Sequence, residues 1–315
     1  MSNFKQFKIK RELWIQSLNG KDRNSIMSQI YRMIWNTAVF KVVNEGIKLA
    51  SVNEKGDKKL NGMVFNLFGD LYFENQFIAI RRVVDGYYSL EHNKKGVCSL
   101  ISLLDNMIQN ISLLTRENYF KVEGLEYDYE IVRKRYIKYE QEQRKGKNGV
   151  TVFTIPDELD YHRILERHKE FDKLTNKNEN NRTPDDCVKK EIFIKLKKNV
   201  IDATNKIKTY VEKYVAHAAT MQSRLLINAH KISIKVRDIW SAQETICKVA
   251  NFLDIYLLSR GSHFFLPVSQ YNNFRYIENA LVIHNDMEKI KRVWSEYEKE
   301  TQSWNNLTIE EILKN

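Results

Sequence analysis

The sequence predicts an all-α protein, and two observations carry this prediction. The 315 residues include only 11 glycines and three prolines, too few helix-breaking residues for many short strands and turns. Apolar residues also recur at intervals of three and four along most of the chain, as they do in amphipathic helices. A hydrophobic content of 43% is enough to fill a sizeable core and predicts a stable, soluble protein.

The first third of the chain predicts three helices. They span 25–49, 63–84 and 96–114, and each has an apolar face at helical spacing. The second helix has an aromatic stripe on that face. Gly86 follows it and is expected to end it.

The middle of the chain, 115–184, has weaker periodicity and is rich in basic residues. The pattern at 150–155 fits a short strand, 157–174 fits a helix, and the Asn-rich stretch 175–184 fits a polar loop. We therefore expect a basic, partly irregular insertion here.

Strong helical periodicity resumes in the last part of the chain. It predicts a very long helix at 185–226, a second helix at 236–258 and a charged helix at 286–304. The expected organisation is a helical bundle, an insertion and a C-terminal helical extension, formed by 1–114 with 185–260, by 115–184 and by 261–315.

The formal net charge of +11 makes a polyanion a natural partner, because a bound phosphate releases counterions when Lys or Arg neutralises it. The alternative is that the excess of lysine only keeps the protein in solution. Eight cations with aromatic residues among them are candidates for nucleic-acid contacts, although each group also fits a solvated surface: Arg133, Lys134, Arg135, Arg144, Lys145, Lys195, Lys197 and Lys198.

The expected compartment is the cytoplasm. Cys98, Cys187 and Cys247 lie far apart without paired spacing, which is typical of reduced thiols. The sequence contains no signal-peptide core and no apolar stretch of membrane-spanning length, so no membrane association is predicted.

His217 is the first candidate for catalysis. At helical spacing it shares a strip with Tyr210, Tyr214 and Met221. It can be a packed core residue, or it can take a proton from an RNA 2′-hydroxyl or protonate a leaving 5′-oxygen. Lys213, one turn earlier, is a cation that could stabilise phosphate charge.

A second constellation is the run Arg81-Arg-Val-Val-Asp85. Arg81 and Asp85 are four residues apart and can pair on one helix face while Arg82 points elsewhere. This group is either a surface ion pair of a few tenths of a kcal/mol or a semi-buried polar cluster near the helix of His217.

Other chemistries have little support. The sequence has no Gly-rich phosphate loop, no Gly-x-Ser-x-Gly elbow and no paired-cysteine site. His162 and Glu166 have the spacing of a helical metal pair but lack a convincing third ligand. We therefore predict no metal and no cofactor.

Three segments, taken in order, resemble the HEPN superfamily and are most similar to its abortive-infection U-type branch. They are 65–85, which ends in Ile-Arg-Arg-Val-Val-Asp, 96–107, which begins Gly-Val-Cys-Ser-Leu-Ile, and 210–218, Tyr-Val-Glu-Lys-Tyr-Val-Ala-His-Ala. The likeness runs from about residue 30 to 258, interrupted by the insertion.

The superfamily motifs are matched in part. Arg82 and Asp85 match an Arg-x-x-Asp-like motif, and Lys213, Ala216 and His217 match part of an Arg-Asn-Lys-x-x-Ala-His-like signature. Val211 occupies the position of the signature arginine. In the superfamily, that arginine and the histidine form a composite site across a homodimer, and this site cuts RNA.

The resemblance implies a helical bundle, a homodimer, RNA as a partner, and a role in antiviral defence or a toxin-type system with a protein partner. It implies metal-independent RNA cleavage with His217 as general acid or base, Arg82 with Asp85 orienting or charging the site, and Lys213 stabilising phosphate. Because Val211 replaces the arginine, that activity requires another cation. The rival hypothesis is a non-catalytic helical interaction module, such as an antitoxin, a scaffold or a defence-complex subunit.

Overall fold

Helices form nearly all the regular structure in the computed structural model of this chain. It describes residues 2–52, 54–56, 62–87, 89–91, 95–144, 159–215, 220–225, 233–260, 265, 267, 272–275, 287–304 and 306–314. The α-helices, in chain order, are α1 (Asn3–Asn19), α2 (Ile26–Leu49), α3 (Gly62–Val83), α4 (Leu100–Gln109), α5 (Arg116–Val122), α6 (Tyr129–Arg144), α7 (Tyr161–Thr175), α8 (Lys190–Tyr210), α9 (Met221–Leu225), α10 (Val236–Phe252), α11 (Met287–Ser303) and α12 (Ile309–Lys314).

The all-α prediction is confirmed. No strand occurs within these described ranges, and an isolated antiparallel bridge pairs Thr115 with Cys187. The short strand expected at 150–155 lies outside the described residues.

Some helix boundaries differ from the expected ones. The long helix expected at 185–226 begins at Lys190, and Thr220 is not helical. Its start is shifted because Asp186 lies in a turn and binds a buried arginine. Helices α1, α5, α6 and α12 were not expected.

The described residues form two compact units. Unit 1 consists of Met1–Leu13, Asn106–Lys195 and Ile309–Asn315, and unit 2 of Trp14–Asp105 and Leu196–Thr308. The described residues of the segment 115–184, expected to be an insertion, lie in unit 1. That unit also includes the first residues of the chain, which the sequence pattern assigned to the bundle.

In unit 2, α2 packs against α3, α10 and α11. Within this apolar core the buried Gln243 amide donates to Thr37 Oγ1 at 2.9 Å and to Gln76 Oε1 at 2.8 Å. Gln76 Nε2 in turn donates to the carbonyl of Met33 at 3.3 Å. These bonds satisfy polar groups that would otherwise be costly to bury, and they hold α2, α3 and α10 in one register.

Unit 1 is organised around a fully buried arginine, Arg116 at the start of α5. Its Nη2 lies 3.0 Å from Asp186 Oδ2 and 2.9 Å from Asp172 Oδ1. The guanidinium lies 4.9 Å from the centre of the Phe171 ring. Because a buried cation is tolerated only when it is paired and hydrogen-bonded, Arg116 joins α5, α7 and the turn before α8.

His168 completes this cluster as a neutral imidazole. Its Nε2 lies 2.9 Å from the carbonyl oxygen of Tyr127, and its Nδ1 lies 3.3 Å from Arg116 Nη1. Nε2 is therefore assigned as the donor and Nδ1 as the acceptor of the arginine N–H. Burial lowers the pKa of His168, and the positive charges of Arg182 and Arg116 lower it further.

We expect Arg116→Leu to lower the free energy of unfolding by about 3–5 kcal/mol, because the buried carboxylate of Asp186 loses its closest cation and Asp172 keeps only Arg182. Urea titration followed by circular dichroism measures the change. The control is Arg133→Leu, which removes an exposed arginine that faces Glu130 at 3.6 Å. It should change stability by less than about 0.5 kcal/mol. Equal losses in both variants would contradict the structural role of Arg116.

We also expect acid to weaken the fold through His168. Its pKa is lower in the folded protein than the ordinary value of about 6.5, so the unfolded chain binds a proton first, and stability falls as the pH drops below that value. Urea midpoints measured at about pH 7.5 and about pH 5.5 should differ more in the wild type than in His168→Gln, whose amide can keep both hydrogen bonds. The same pH dependence in both proteins would rule out His168 as the cause.

Candidate functional site

Two successive arginines at the end of α3 project from different sides of the helix. Ile80 and Val83 are both 0% exposed and anchor the last turn in the core. Because consecutive helical residues project about 100° apart, Arg81 and Arg82 on the outer side diverge. Each of them lines a different cavity.

The cavity on the flank of Arg81 is here named the Arg81 cleft, and its volume is about 380 Å³. It is bounded by α3, the loop that follows α3, and α8. Its charged lining residues are Arg81, Asp85, Lys197, Lys208 and Glu212.

Helix α8 supplies one wall of the cleft because it is amphipathic. Lys197, Ile201 and Lys208 line the cleft at helical spacing. Val200 and Ile207 lie on the adjoining face and are fully buried. The burial of this apolar face therefore directs the two lysines into the cleft.

A π-helical turn, Val211–Val215, continues α8 at the end of the cleft. Val211 is 0% exposed, whereas its neighbour Glu212 lines the cleft. Such turns interrupt the regular helix and occur frequently at functional sites. Lys213, in the same turn, donates to Ser223 Oγ at 2.8 Å.

The loop after α3 forms the opposite wall. Asp85 Oδ1 accepts a hydrogen bond from the backbone N–H of Tyr87 at 2.9 Å, and Ser99 Oγ donates to the Asp85 carbonyl. A Cβ on Gly86 would lie 2.7 Å from Ile101 Cγ2, so glycine allows the loop to approach this closely. The side chain of Tyr87 is 83% exposed at this wall.

The cations of the cleft are only partly neutralised. Lys197 pairs with Asp105 at 2.6 Å. Among the residues that the structure describes, neither Arg81 nor Lys208 forms an ion pair, and the buried Arg81 Nε has no hydrogen-bond partner. Buried polar groups are normally satisfied, so the free guanidinium N–H favours an anionic ligand that accepts its hydrogen bonds.

The structure brings only part of the predicted catalytic set together. Asp85 lines the Arg81 cleft, but Arg82 lines the other cavity. Lys213 contacts Ser223 and is not among the residues that line the cleft. His217 lies outside the described residues.

No ion pair joins Arg81 to Asp85, although the i, i+4 spacing allowed one. Helix α3 ends at Val83. Asp85 lies beyond it and binds the backbone of Tyr87, so helical spacing no longer applies. Both side chains nevertheless line the same cleft.

The eight cations proposed for nucleic-acid contacts are dispersed, and of the seven that the structure describes only Lys197 lines the cleft. On α6, Arg133, Lys134 and Arg135 are exposed, and Arg144 pairs with Glu140. Lys198 is exposed on α8. Lys145 lies outside the described residues.

Lys195 has a structural contact instead. Its Nζ donates to the carbonyl of Ile312 at 3.1 Å. This bond satisfies a carbonyl near the end of α12, where a cation is favoured.

Sequence reasoning missed the part that Lys208 plays. It follows Lys197 by eleven residues, or about three helical turns, so the periodicity of α8 alone could have placed both lysines on one face. No sequence signal identified Arg32, which lies beside Arg82 in the second cavity.

No protein-family model matches the chain, and no curated protein or solved structure matches it. Over the described part of the chain, no helix is both long and apolar enough to cross a membrane. Within the same residues, no group of three His, Cys, Asp or Glu side chains could hold a metal ion. Cys98, Cys187 and Cys247 are free thiols, and burial raises the pKa of Cys98 to about 11.

Proposed function

We propose that this protein binds RNA and that the Arg81 cleft takes a stretch of the ribose-phosphate backbone. The observation that carries the proposal is the Arg81 guanidinium, whose buried Nε has no partner in a cleft that also contains Lys208. Neither group forms an ion pair with Asp85 or Glu212, the two acids of the cleft, and an RNA phosphate supplies the acceptors and the charged partner.

The remaining features of the cleft fit a single-stranded ligand. Tyr87 is largely exposed beside the cations, and a base can stack on its ring while Arg81 and Lys208 contact phosphates. Stacking on an aromatic side chain tolerates any base. We therefore propose binding with little sequence preference from this cleft.

We further propose that the protein cleaves the bound strand without a metal, as the HEPN resemblance implies. His217 takes the proton from a 2′-hydroxyl, the 2′-oxygen bonds to phosphorus, and the bond to the 5′-oxygen breaks as that oxygen takes a proton from water. Val211 is buried and cannot act as the signature arginine. Arg81 in the cleft is the cation that can replace it and stabilise the phosphorane charge.

The proposal includes the cytoplasmic homodimer and the role in antiviral defence or a toxin-type system that the resemblance implies. Leu67 and Leu71 lie four residues apart on α3, and each is 57% exposed. Two large apolar side chains exposed on one helix face supply a surface that a second chain could cover. The surface supports a dimer and is independent of the cleft.

RNA binding should depend on the cleft cations. Arg81→Ala and Lys208→Ala should each weaken binding of a single-stranded oligoribonucleotide, measured by fluorescence anisotropy. The slope of log affinity against log salt should fall by about 0.7 for each lost phosphate contact. The matched controls Arg292→Ala and Lys299→Ala remove exposed cations of α11. They should change neither the affinity for RNA nor the salt slope. If no RNA binds, or if the four variants behave alike, the non-catalytic interaction module becomes the better hypothesis.

Cleavage should depend on His217. His217→Ala should slow RNA cleavage at least about 100-fold, since a general acid or base contributes this much or more, while binding and circular dichroism stay unchanged. The expected products carry 2′,3′-cyclic phosphate ends, and a substrate with 2′-deoxyribose at the cut position should resist cleavage. Undiminished cleavage by the variant, or its unfolding, would refute the catalytic assignment.

A further inference from the structure

The second cavity, on the flank of Arg82, contains two arginines and no acid. It lies between α2 and α3, and its volume is about 150 Å³. Its polar lining consists of Arg32 and Arg82 together with the amide side chains of Gln29, Asn36 and Asn75. We name it the arginine cavity.

The loop between α1 and α2 holds both guanidiniums. Arg32 Nη2 donates to the carbonyl of Arg23 at 2.8 Å, and Arg82 Nη2 donates to Asn24 Oδ1 at 3.3 Å. These contacts orient the two side chains and use one nitrogen of each. Since a guanidinium has five N–H donors, most of the donors remain available.

Three positive charges are concentrated here. Burial lowers the pKa of Arg32, and the charges of Arg82 and Arg23 lower it further. Within the described ranges, none of these arginines forms an ion pair. Like charges that repel one another without a carboxylate partner favour an anion from outside the chain.

The helix dipole accounts for only one of the two arginines that line the cavity. Arg82 is in the last turn of α3, where a cation is favoured by the helix dipole. That reason does not apply to Arg32, which lies inside α2. An anion bound in the shared cavity accounts for the presence of both arginines.

The size and chemistry of the cavity indicate the ligand. A water molecule occupies about 30 Å³ in the liquid, so the arginine cavity has room for a tetrahedral anion with a few waters. The planar fork of an arginine matches two oxygens of a phosphate. The Asn75 amide adds a neutral polar group beside the two forks.

We propose that Arg32 and Arg82, with the charge of Arg23 behind them, bind a phosphate group in the arginine cavity. The group can be a free phosphate or nucleotide, or a backbone phosphate of an RNA that passes over the end of α3. Neither Arg32 nor Arg82 lines the Arg81 cleft, so the site does not depend on the function proposed for that cleft.

Protection from phenylglyoxal, which modifies arginine, tests the site residue by residue. The full chain is modified with and without inorganic phosphate, and peptides are analysed by mass spectrometry. We expect phosphate to slow modification of Arg32 and Arg82 at least about fivefold, because charged hydrogen bonds hold them in the complex. Arg292, exposed on α11, is the internal control and should be modified at an unchanged rate. Equal rates at Arg32 and Arg82 with and without phosphate would overturn the proposal.

A variant shows whether the two arginines share one ligand. In Arg32→Ala, phosphate should no longer protect Arg82, whereas Arg292→Ala should leave that protection intact; circular dichroism confirms that both variants fold. Full protection of Arg82 in Arg32→Ala would exclude a shared site.

Two further ligands identify the source of the phosphate. An oligoribonucleotide without terminal phosphates protects Arg32 and Arg82 if the site takes the RNA backbone. Adenosine monophosphate alone protects them if it takes a free phosphate monoester. Arg81→Ala should leave protection by inorganic phosphate unchanged, so failure of this proposal is distinguishable from failure of RNA binding in the Arg81 cleft.

Discussion

The burial of Ile80 and Val83 in the last turn of α3 is the constraint on which both cavities depend. With these side chains in the core, helical geometry directs Arg81 and Arg82 to different flanks. The same constraint places the helix end at Val83, from which the Asp85 loop turns back towards α4. A side chain that could not be buried at either position would remove the anchor for both arginines, even though it contacts no ligand itself.

Arginines have different environments in the two units, paired with carboxylates in one and unpaired in the other. This difference distinguishes structural arginines from those proposed to bind a ligand. In unit 1, Arg116 is fully buried and is neutralised by Asp172 and Asp186, as a buried cation must be. In unit 2, Arg81 is half-buried, Arg82 is exposed, and neither has a carboxylate partner among the described residues. The first arrangement stabilises a fold, whereas the second leaves charge and hydrogen-bonding capacity for an anion.

Local patterns predicted most of the helices, but they could not predict the clusters. Apolar spacing identified α2, α3 and α10 because each has a continuous buried face. It missed α1, whose buried residues Phe7, Trp14 and Leu18 lie one or two turns apart among many charged residues. It also gave no indication of the contact between Arg116 and Asp186, since their 70-residue separation contains no periodic signal.

The sequence by itself determined that the chain is helical, basic and equipped with cations on amphipathic faces, because these properties follow from composition and from spacing within single helices. Only the tertiary structure decided which cations meet. Lys197 and Lys208 join Arg81, while Arg82 joins Arg32, because the burial of apolar faces from separate helices sets the direction of each side chain. The buried position of Val211 was decided in the same way, and it leaves Arg81 as the guanidinium of the cleft.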